Sequence, residues 1–184
     1  MRIIAGKFRG RKLVEFDVDS TRPTLDRIKE PLFSILMPYL KDANVLDLFA
    51  GTGSLGIECL SRGASSAIFV DVSKESINIV KSNIKKARVE NESTILNLDF
   101  KNAIDRLKIQ NKKFDIIFMD PPYYKNMFID ALSSIDEADL LCDDGIIVVE
   151  HDTKDKFVDK IGRLEKTRDK KYGNTTLTFY KLEE

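Results

Sequence analysis

Short apolar runs alternate with amphipathic stretches along most of the chain. In residues 74–89 the apolar side chains of Ile77, Val80, Ile84 and Ala87 recur at the spacing of one helical face. Shorter apolar runs on either side of such stretches predict strands. The predicted strands are 45–49, 67–71, 94–99, 114–120 and 145–150, and the predicted helices are 54–61, 74–89 and 126–141. This alternation is typical of a parallel sheet with helices on its faces.

The carboxyl-terminal part of the chain has a different pattern. Residues 164–168 and 175–182 have strand character and flank Tyr172-Gly173-Asn174, which predicts an antiparallel hairpin. We therefore predict an α/β fold. Its sheet is expected to be doubly wound, Rossmann-like and mostly parallel, with seven strands and an antiparallel C-terminal hairpin.

The amino-terminal part of the chain carries two further segments. Residues 1–16 predict two short strands that turn near Arg9-Gly10, which would form a small N-terminal β-hairpin extension. Residues 26–40 predict an amphipathic helix, and Pro31 inside it is expected to kink the helix or delay its start. We predict a single domain over residues 1–184, with the hairpin extension at 1–20 and the core at 21–184.

Composition narrows the class of protein further. The chain has 184 residues, of which 42% are hydrophobic and 33% charged, and its 30 basic and 30 acidic side chains cancel. No apolar run approaches the roughly 20 residues that cross a bilayer. Cys59 and Cys142 are far apart and outside any CxxC motif, which argues against a disulfide framework or a zinc site. We expect a cytoplasmic protein with no membrane segment and no metal.

The segment Gly51-Thr-Gly53-Ser-Leu-Gly56 matches GxGxxG between a predicted strand and a predicted helix. The default ligand of this motif is a dinucleotide. However, Asp47 lies within the preceding strand, and its carboxylate would oppose the pyrophosphate of a dinucleotide. S-adenosylmethionine has no phosphate and carries an ammonium and a sulfonium group. The loop with Asp47 therefore favours S-adenosylmethionine as cofactor.

Two further acidic residues lie at the ends of the next predicted strands. Asp71 follows Gly53 by about the spacing at which a carboxylate receives ribose hydroxyls. Asp99 could accept a hydrogen bond from the adenine amine, while the ring of Phe100 packs on the base. The alternative is that these aspartates cap the following helices. Successive acids at one edge of the sheet favour the cofactor interpretation.

The fourth predicted strand ends in Asp120-Pro121-Pro122-Tyr123. An exocyclic amine on a base is a poor nucleophile because its lone pair is delocalised into the ring. If the Asp120 carboxylate and the Pro121 carbonyl accepted its two N–H bonds, the lone pair would be drawn out of conjugation. Tyr123 would supply a face on which the base stacks. The alternative is a Pro-Pro turn that only terminates a buried strand.

The first twelve residues are strongly basic. They contain Arg2, Lys7, Arg9, Arg11 and Lys12 and no acidic residue. Interleaved with Phe8 and two glycines, these residues predict a mobile basic hairpin that binds RNA phosphates. A second basic cluster consists of Lys166, Arg168, Lys170 and Lys171. The second cluster could extend this surface or only protect an edge strand from aggregation.

With DLFAGTG at 47–53 and DPPY at 120–123, the chain resembles class I S-adenosylmethionine-dependent methyltransferases of the amino-methylating branch. More narrowly, it resembles the bacterial 16S rRNA (guanine(966)-N(2))-methyltransferase family. The matching segments are 2–13, 21–24, 26–27, 45–56, 60–64, 114–123 and 171–174. The N-terminal run is the most specific of them, since DPPY fits several amino-methyltransferases.

The resemblance implies methylation of the exocyclic N2 amine of one guanine in small-subunit rRNA, within an assembling 30S particle. We expect the enzyme to be a monomer. By motif position, the cofactor ligands would be Asp47, Gly51, Gly53, Asp71 and Asp99. Asp120 and the Pro121 carbonyl would orient the amine, and Tyr123 would stack on the guanine.

Three other functions are compatible with parts of this pattern. The nearest is a DPPY-type methyltransferase that acts on adenine N6 or cytosine N4 of another nucleic acid, although the chain has no segment large enough for a separate target-recognition domain. The others are a dinucleotide-dependent oxidoreductase and a non-catalytic RNA-binding factor that retains a cofactor pocket. Measuring affinity for each cofactor separates the oxidoreductase from the methyltransferases.

Overall fold

The computed structural model describes residues 1–17, 24–121 and 125–184. Its helices are α1 (Thr24–Leu40), α2 (Ser54–Ser61), α3 (Lys74–Ala87), α4 (Phe100–Ile109) and α5 (Lys125–Glu137). Its strands are β1 (Asn44–Asp47), β2 (Ser66–Val70), β3 (Ser93–Leu96), β4 (Phe114–Met119), β5 (Leu141–Asp152), β6 (Lys160–Ile161), β7 (Leu164–Tyr172) and β8 (Thr175–Leu182). These strands form one sheet in the order β3-β2-β1-β4-β5-β8-β7-β6.

The sheet has the predicted mixture of parallel and antiparallel pairs. The strands from β3 to β5 pair in parallel, whereas β8 is antiparallel to both β5 and β7. The doubly wound α/β class and the C-terminal hairpin are therefore confirmed. The described sheet has eight strands instead of seven, because Lys160 and Ile161 pair with Glu165 and Leu164. A strand of two residues is too short to leave a periodic pattern in the sequence.

Helices cover both faces of the sheet and enclose two apolar clusters. One cluster contains side chains from α1, α2, α3 and the N-terminal segment, and the other contains side chains from α4 and α5. In β1, Val45 belongs to the first cluster and Leu46 to the second, because successive residues of a strand point to opposite faces. Burial on both faces explains why consecutive residues such as Val45 and Leu46 are both apolar. Among the described helices, none is both long and apolar enough to span a bilayer.

Several element boundaries differ from those predicted. The helix predicted at 126–141 ends at Glu137, because Asp139 takes a left-handed conformation and Leu141 already pairs with Phe114 in the sheet. Helix α4 was not predicted. Pro31 does not delay α1, which begins at Thr24 and runs through the proline as one element. By contrast, α2 and β8 have the predicted bounds.

The N-terminal segment (residues 1–17) forms a turn that resembles a hairpin. Arg2 and Lys12 form an antiparallel bridge. The Ile3 N–H donates to the Arg11 carbonyl at 3.0 Å, and the Gly10 N–H donates to the Ile3 carbonyl at 2.8 Å. The turn near Gly10 is therefore confirmed, but a single bridge replaces the two predicted strands.

A buried carboxylate on α2 holds the backbone of this segment. Both carboxylate oxygens of Glu58 accept backbone N–H groups, one from Ile4 and one from Ala5, each at 3.0 Å. The Glu58 side chain is fully buried, and it also accepts from Arg62 Nε at 2.9 Å and lies 3.8 Å from Lys29 Nζ. Hydrogen bonds to a buried charge are stronger than those between neutral groups. Glu58 thus fixes the segment on the core.

Ser61, at the end of α2, makes a second set of contacts with the same segment. Its carbonyl accepts the Lys7 N–H at 2.8 Å, and its hydroxyl oxygen accepts the Phe8 N–H at 3.0 Å. Gly6 has φ +84°, and a Cβ on it would lie 1.9 Å from the Ser61 carbonyl oxygen. Only glycine can occupy this position without displacing the backbone. The expectation of a mobile hairpin is therefore wrong, because the backbone is docked at several points.

Asn83 of α3 connects the segment to the glycine loop. Its Oδ1 accepts the Val14 N–H at 2.6 Å, and its Nδ2 donates to the carbonyls of Val14 and Thr52, at 3.0 and 2.9 Å. The side chain is fully buried. One amide therefore supports both the end of the N-terminal segment and the loop that follows β1.

We predict that Glu58→Ala lowers the free energy of unfolding by about 3–5 kcal/mol, because it removes the acceptor of two backbone N–H groups and the carboxylate that pairs with Lys29 and Arg62. Denaturant unfolding measures this loss, and hydrogen exchange at Ile4 and Ala5 should accelerate. The control is Glu30→Ala on the exposed face of α1, which should change stability by about 0.5 kcal/mol at most. Equal effects of the two substitutions would contradict the role of Glu58.

Candidate active site

Three carboxylates meet at the carboxyl edge of the central strands. Asp47 at the end of β1 lies opposite Phe69 of β2 and Phe118 of β4. Asp71 and Asp120 each follow those partners by two residues in the chain. The charges of both act on Asp47 strongly enough to shift its pKa. The structure therefore brings the predicted Asp-Pro corner next to the glycine loop.

Asp47 is buried in an environment that disfavours its negative charge. The residue is 4% exposed, and its Oδ2 has no hydrogen-bond partner among the described residues. Burial raises the pKa of Asp47 to about 7, and the charges of Asp120 and Asp71 add to this effect, whereas a hydrogen bond from the Gly56 N–H opposes it. A carboxylate in this position is poised to receive a cation.

Asp71 ties the glycine loop to the end of β2. Its Oδ2 accepts the Gly51 N–H and its Oδ1 accepts the Ser73 N–H, both at 2.9 Å. The residue is half-buried. An ionised carboxylate has about four acceptor sites, so these two bonds leave capacity for ligand hydroxyl groups. Asp71 thus combines a loop-supporting role with the predicted position beside the ligand.

The glycine loop turns sharply between β1 and α2. Gly51 and Gly53 have φ angles of +58° and +77°, which side-chain-bearing residues rarely adopt. The Gly53 N–H donates to the Ala50 carbonyl at 2.8 Å, and its own carbonyl accepts the first helical N–H, from Ile57, at 3.0 Å. A Cβ on Gly53 would lie 3.3 Å from Val80. Both glycines therefore stand where the predicted loop needs them.

Asp99 acts as a helix cap in this structure. Its Oδ1 accepts the Asn102 N–H at 3.0 Å, and its Oδ2 accepts the side-chain amide of the same residue. These hydrogen bonds lower the pKa of Asp99. The residue is exposed. The capping alternative raised above therefore holds for Asp99, and its contact with adenine stays a prediction.

An aromatic pair lies beside the loop. The ring of Phe100 is 5.8 Å from that of Phe49, centroid to centroid, and both residues are half-buried. Phe49 was not among the predicted site residues, although it stands directly between Leu48 and the loop. An aromatic residue next to a glycine-rich turn is a usable signal, since such a ring can cover one face of a ligand base.

The Asp-Pro corner is described as far as Pro121. Asp120 is half-buried and Pro121 is buried. Strand β4 ends at Met119, so the corner also terminates the strand, as the alternative interpretation required. Pro122 and Tyr123 lie outside the described residues, and the predicted stacking by Tyr123 stays a prediction.

His151 of β5 is held by its neighbours. Its Nδ1 lies 2.8 Å from the Asp152 carbonyl oxygen and its Nε2 lies 2.7 Å from Thr178 Oγ1. The Phe157 ring packs 4.0 Å from its centroid. Burial lowers the pKa of His151. Because both ring nitrogens have protein partners, the geometry favours a structural role over a catalytic one.

The predicted RNA-binding residues are not equivalent in the structure. Arg11 is half-buried, donates to the Ala87 carbonyl at 2.5 Å and lies 4.7 Å above the Phe8 ring. The other four are exposed, namely Arg2, Lys7, Arg9 and Lys12. In the C-terminal cluster, Lys166 pairs with Asp159 at 2.8 Å and with Asp169 at 3.4 Å. Lys166 therefore has acidic partners of its own.

Comparison with known sequences gives matches over nearly the whole chain. Residues 1–181 match the family described as Conserved hypothetical protein 95. YlbH of Bacillus subtilis, named as a candidate rRNA methyltransferase, is 40% identical over 181 residues, which are 98% of each chain. Ribosomal RNA small subunit methyltransferase D of Haemophilus influenzae is 42% identical over 159 residues, which cover 85% of this chain and 80% of that protein.

The fold is also similar to solved structures. The Escherichia coli protein yhhF, named as a candidate methyltransferase, superposes with a TM-score of 0.85 at 27% identity. The superposition covers 100% of this chain and 98% of the other. The strand and helix topology of this chain therefore belongs to a shared architecture.

We predict that Asp47→Asn stabilises the ligand-free protein above neutral pH. The pKa of Asp47 in the folded protein, about 7, exceeds its ordinary value of 3.8. The free energy of unfolding of the wild-type protein therefore falls as the pH rises from 3.8 to 7. At about 1.4 kcal/mol per pKa unit, the variant should gain roughly 4 kcal/mol at pH 8 relative to its gain at pH 3.5. Denaturant unfolding of both proteins at both pH values measures this gain. The prediction is wrong if the variant and the wild type differ in free energy of unfolding by the same amount at pH 3.5 and pH 8.

Proposed function

Because the chain belongs to the family described as Conserved hypothetical protein 95, we propose that it methylates small-subunit ribosomal RNA with S-adenosylmethionine as the methyl donor. We further propose that the acceptor is the exocyclic N2 amine of a guanine. The named relative from Haemophilus influenzae, a small-subunit rRNA methyltransferase, supports the RNA substrate. The Asp-Pro corner supports an amine as the acceptor.

The proposal of S-adenosylmethionine as cofactor depends on one observation, the buried Asp47 carboxylate beside the glycine loop. Its Oδ2 has no hydrogen-bond partner within the described part of the chain, and Asp71 and Asp120 add negative charge around it. A pyrophosphate would bring further negative charge to this point, whereas an ammonium group would relieve the repulsion. The residues present therefore fit S-adenosylmethionine and do not fit a nicotinamide dinucleotide.

Each residue of the site then has a proposed part in binding. Asp47 would attract the ammonium group, and the backbone of Gly51 and Gly53 would let the ligand approach closely. The Asp71 carboxylate would accept hydrogen bonds from the ribose hydroxyls while it still accepts the Gly51 N–H. Phe100 would pack on the adenine. When bound, S-adenosylmethionine supplies a methyl group on a positively charged sulfur.

The Asp-Pro corner would prepare the acceptor amine. Asp120 and the Pro121 carbonyl would each accept one N–H bond, so that the nitrogen lone pair leaves conjugation and points at the methyl carbon. The guanine must leave its stack to reach this corner, and Tyr123 would provide a replacement stacking surface. Asp120 need not be a strong base, since the methylated amine is acidic and loses its proton to water.

The described thiols argue for direct transfer without an enzyme-bound intermediate. Cys59 is buried, and burial, together with the charges of Asp47 and Glu58, raises the pKa of its thiol. Burial also raises the pKa of Cys142. Neither thiol would therefore ionise readily to the nucleophilic thiolate.

We propose that the monomer acts on rRNA within an assembling 30S particle, with the basic N-terminal segment against the RNA backbone.

We predict that small-subunit rRNA from cells without this protein gains N2-methylguanine when incubated with the protein and labelled S-adenosylmethionine. Nuclease digestion and mass mapping identify the nucleoside. N6-methyladenine or N4-methylcytosine as product would contradict the guanine assignment. Methyl uptake confined to duplex DNA would contradict the RNA substrate.

We predict that Asp120→Ala lowers kcat about 100-fold or more, because it removes an interaction that strengthens as the amine becomes nucleophilic. Affinity for S-adenosylhomocysteine should stay within about threefold of wild type by calorimetry. The matched control is Asp105→Ala on the exposed face of α4, which should keep full activity. A fully active Asp120→Ala enzyme would contradict the role of this residue.

We predict that S-adenosylhomocysteine binds more tightly as pH rises to about 7 and that its affinity then levels off. The pKa of Asp47 in the free protein is about 7, so below that pH the ligand ammonium must displace a proton. The affinity should fall by up to about tenfold per pH unit. Titrations from pH 5 to 8 test this, and Asp47→Asn should bind more weakly with a flat profile. A flat wild-type profile would contradict the role of Asp47.

A further inference from the structure

A basic groove lies between the N-terminal segment and the end of α3. It is open to solvent and has a volume of about 410 Å³. Its lining residues are Arg11, Lys12, Lys86 and Arg88. Two of these come from the N-terminal segment and two from the end of α3, so residues far apart in the sequence converge on one surface.

The backbone around this groove is well supported. Arg11 donates to the Ala87 carbonyl, which joins the N-terminal segment to the last turn of α3. Lys12 is placed by its bridge to Arg2. Arg88 is the C-terminal cap of α3, with φ +59°, and its N–H donates to carbonyls of the last helical turn. The groove therefore presents its cations from fixed positions.

The positive charge of the groove is not neutralised within the described part of the chain. None of its four cations has a carboxylate within 4.0 Å there. The dipole of α3 would favour basic residues in its last turn, where Lys85 and Lys86 lie. That effect also favours Arg88 at the C-cap, but it does not account for Lys12, which comes from the N-terminal segment and adds a like charge to the groove.

We propose that this groove binds the phosphate backbone of the RNA that flanks the target nucleotide; this inference rests on the proposed function. The groove is lined by four basic residues and no acidic one. Such a lining suits phosphates, and phosphate contacts position a protein on RNA without reading its sequence. The 14 residues of α3 separate the groove from the Asp71 end of the site, about 21 Å at 1.5 Å per residue. The groove would therefore hold a neighbouring stretch of RNA rather than the flipped guanine.

Lys86→Gln combined with Arg88→Asn tests the groove, since both residues are exposed and asparagine tolerates the left-handed conformation of residue 88. The probe is a small-subunit rRNA fragment that the wild-type protein methylates. We expect KM for this RNA to rise while kcat stays unchanged. The slope of log affinity against log salt should become shallower by about 1 for each lost phosphate contact.

The matched control is Lys81→Gln with Lys85→Gln, which removes the same charge from exposed positions of α3 outside the groove. Its KM and salt slope should match wild type, and both double variants should bind S-adenosylhomocysteine normally. The proposal is overturned if KM for the RNA rises equally in the groove variant and the control variant. An unchanged salt slope in the groove variant would also overturn it. A loss seen only on ribosomal particles and not on the RNA fragment would indicate a protein partner and would also overturn it.

These outcomes separate the groove from the proposed function. If the wild-type protein methylates no rRNA, the proposed function is wrong, and the proposal that the groove binds the substrate RNA is wrong with it. If the wild-type protein methylates the RNA and the groove variant behaves identically, the groove alone is wrong.

Discussion

The burial of one carboxylate, Asp47, organises the chemistry of this protein. Strand β1 ends with this side chain between two neighbouring strands, where water is excluded and two further acids are near. In the free protein this arrangement costs stability whenever Asp47 is ionised. Under the proposed function, a cationic ligand would remove that cost on binding. The same charge would disfavour ligands that carry phosphate.

Charge in this chain is segregated, although it sums to zero. Acidic groups gather around the glycine loop, and unneutralised basic groups gather at the far end of α3. Helix α3 is about 21 Å long, so the charge of Asp71 at one end and those of the groove at the other are screened from each other at physiological salt, where the screening length is about 8 Å. Under the two proposals, one neutral protein would bind a small cation and a polyanion on different surfaces.

Much of the fold was predictable because it depends on local pattern. Helix α2 follows a glycine turn and ends before Arg62-Gly63, and β8 is bounded by a turn, so both have clear limits. The predicted strand ends placed Asp47, Asp71 and Asp120 at one edge, as observed. Helix α4, by contrast, depends on the cap from Asp99 and on tertiary packing of Ala103 and Leu107. The short strand β6 exists only because β7 lies beside it.

The docking of the N-terminal segment on the core was not predicted, and the reason is physical. Its composition is basic and glycine-containing, which is typical of a mobile arm, but composition does not reveal partners elsewhere in the chain. The acceptor for Ile4 and Ala5 is Glu58, more than 50 residues later in the chain. Buried charges of this kind are rare, and no local signal marks them.

These long-range contacts also bear on how the chain matures during synthesis. The Ile4 N–H donates to Glu58, 54 residues later in the chain, and the Val14 N–H donates to Asn83, 69 residues later. During synthesis the N-terminal segment therefore emerges before the residues that hold it, and closing such distant contacts is slow. The glycine loop also gains its support from Asn83 only then. The N-terminal segment is thus among the last parts of the fold to dock, and its basic residues stay undocked until α3 has emerged.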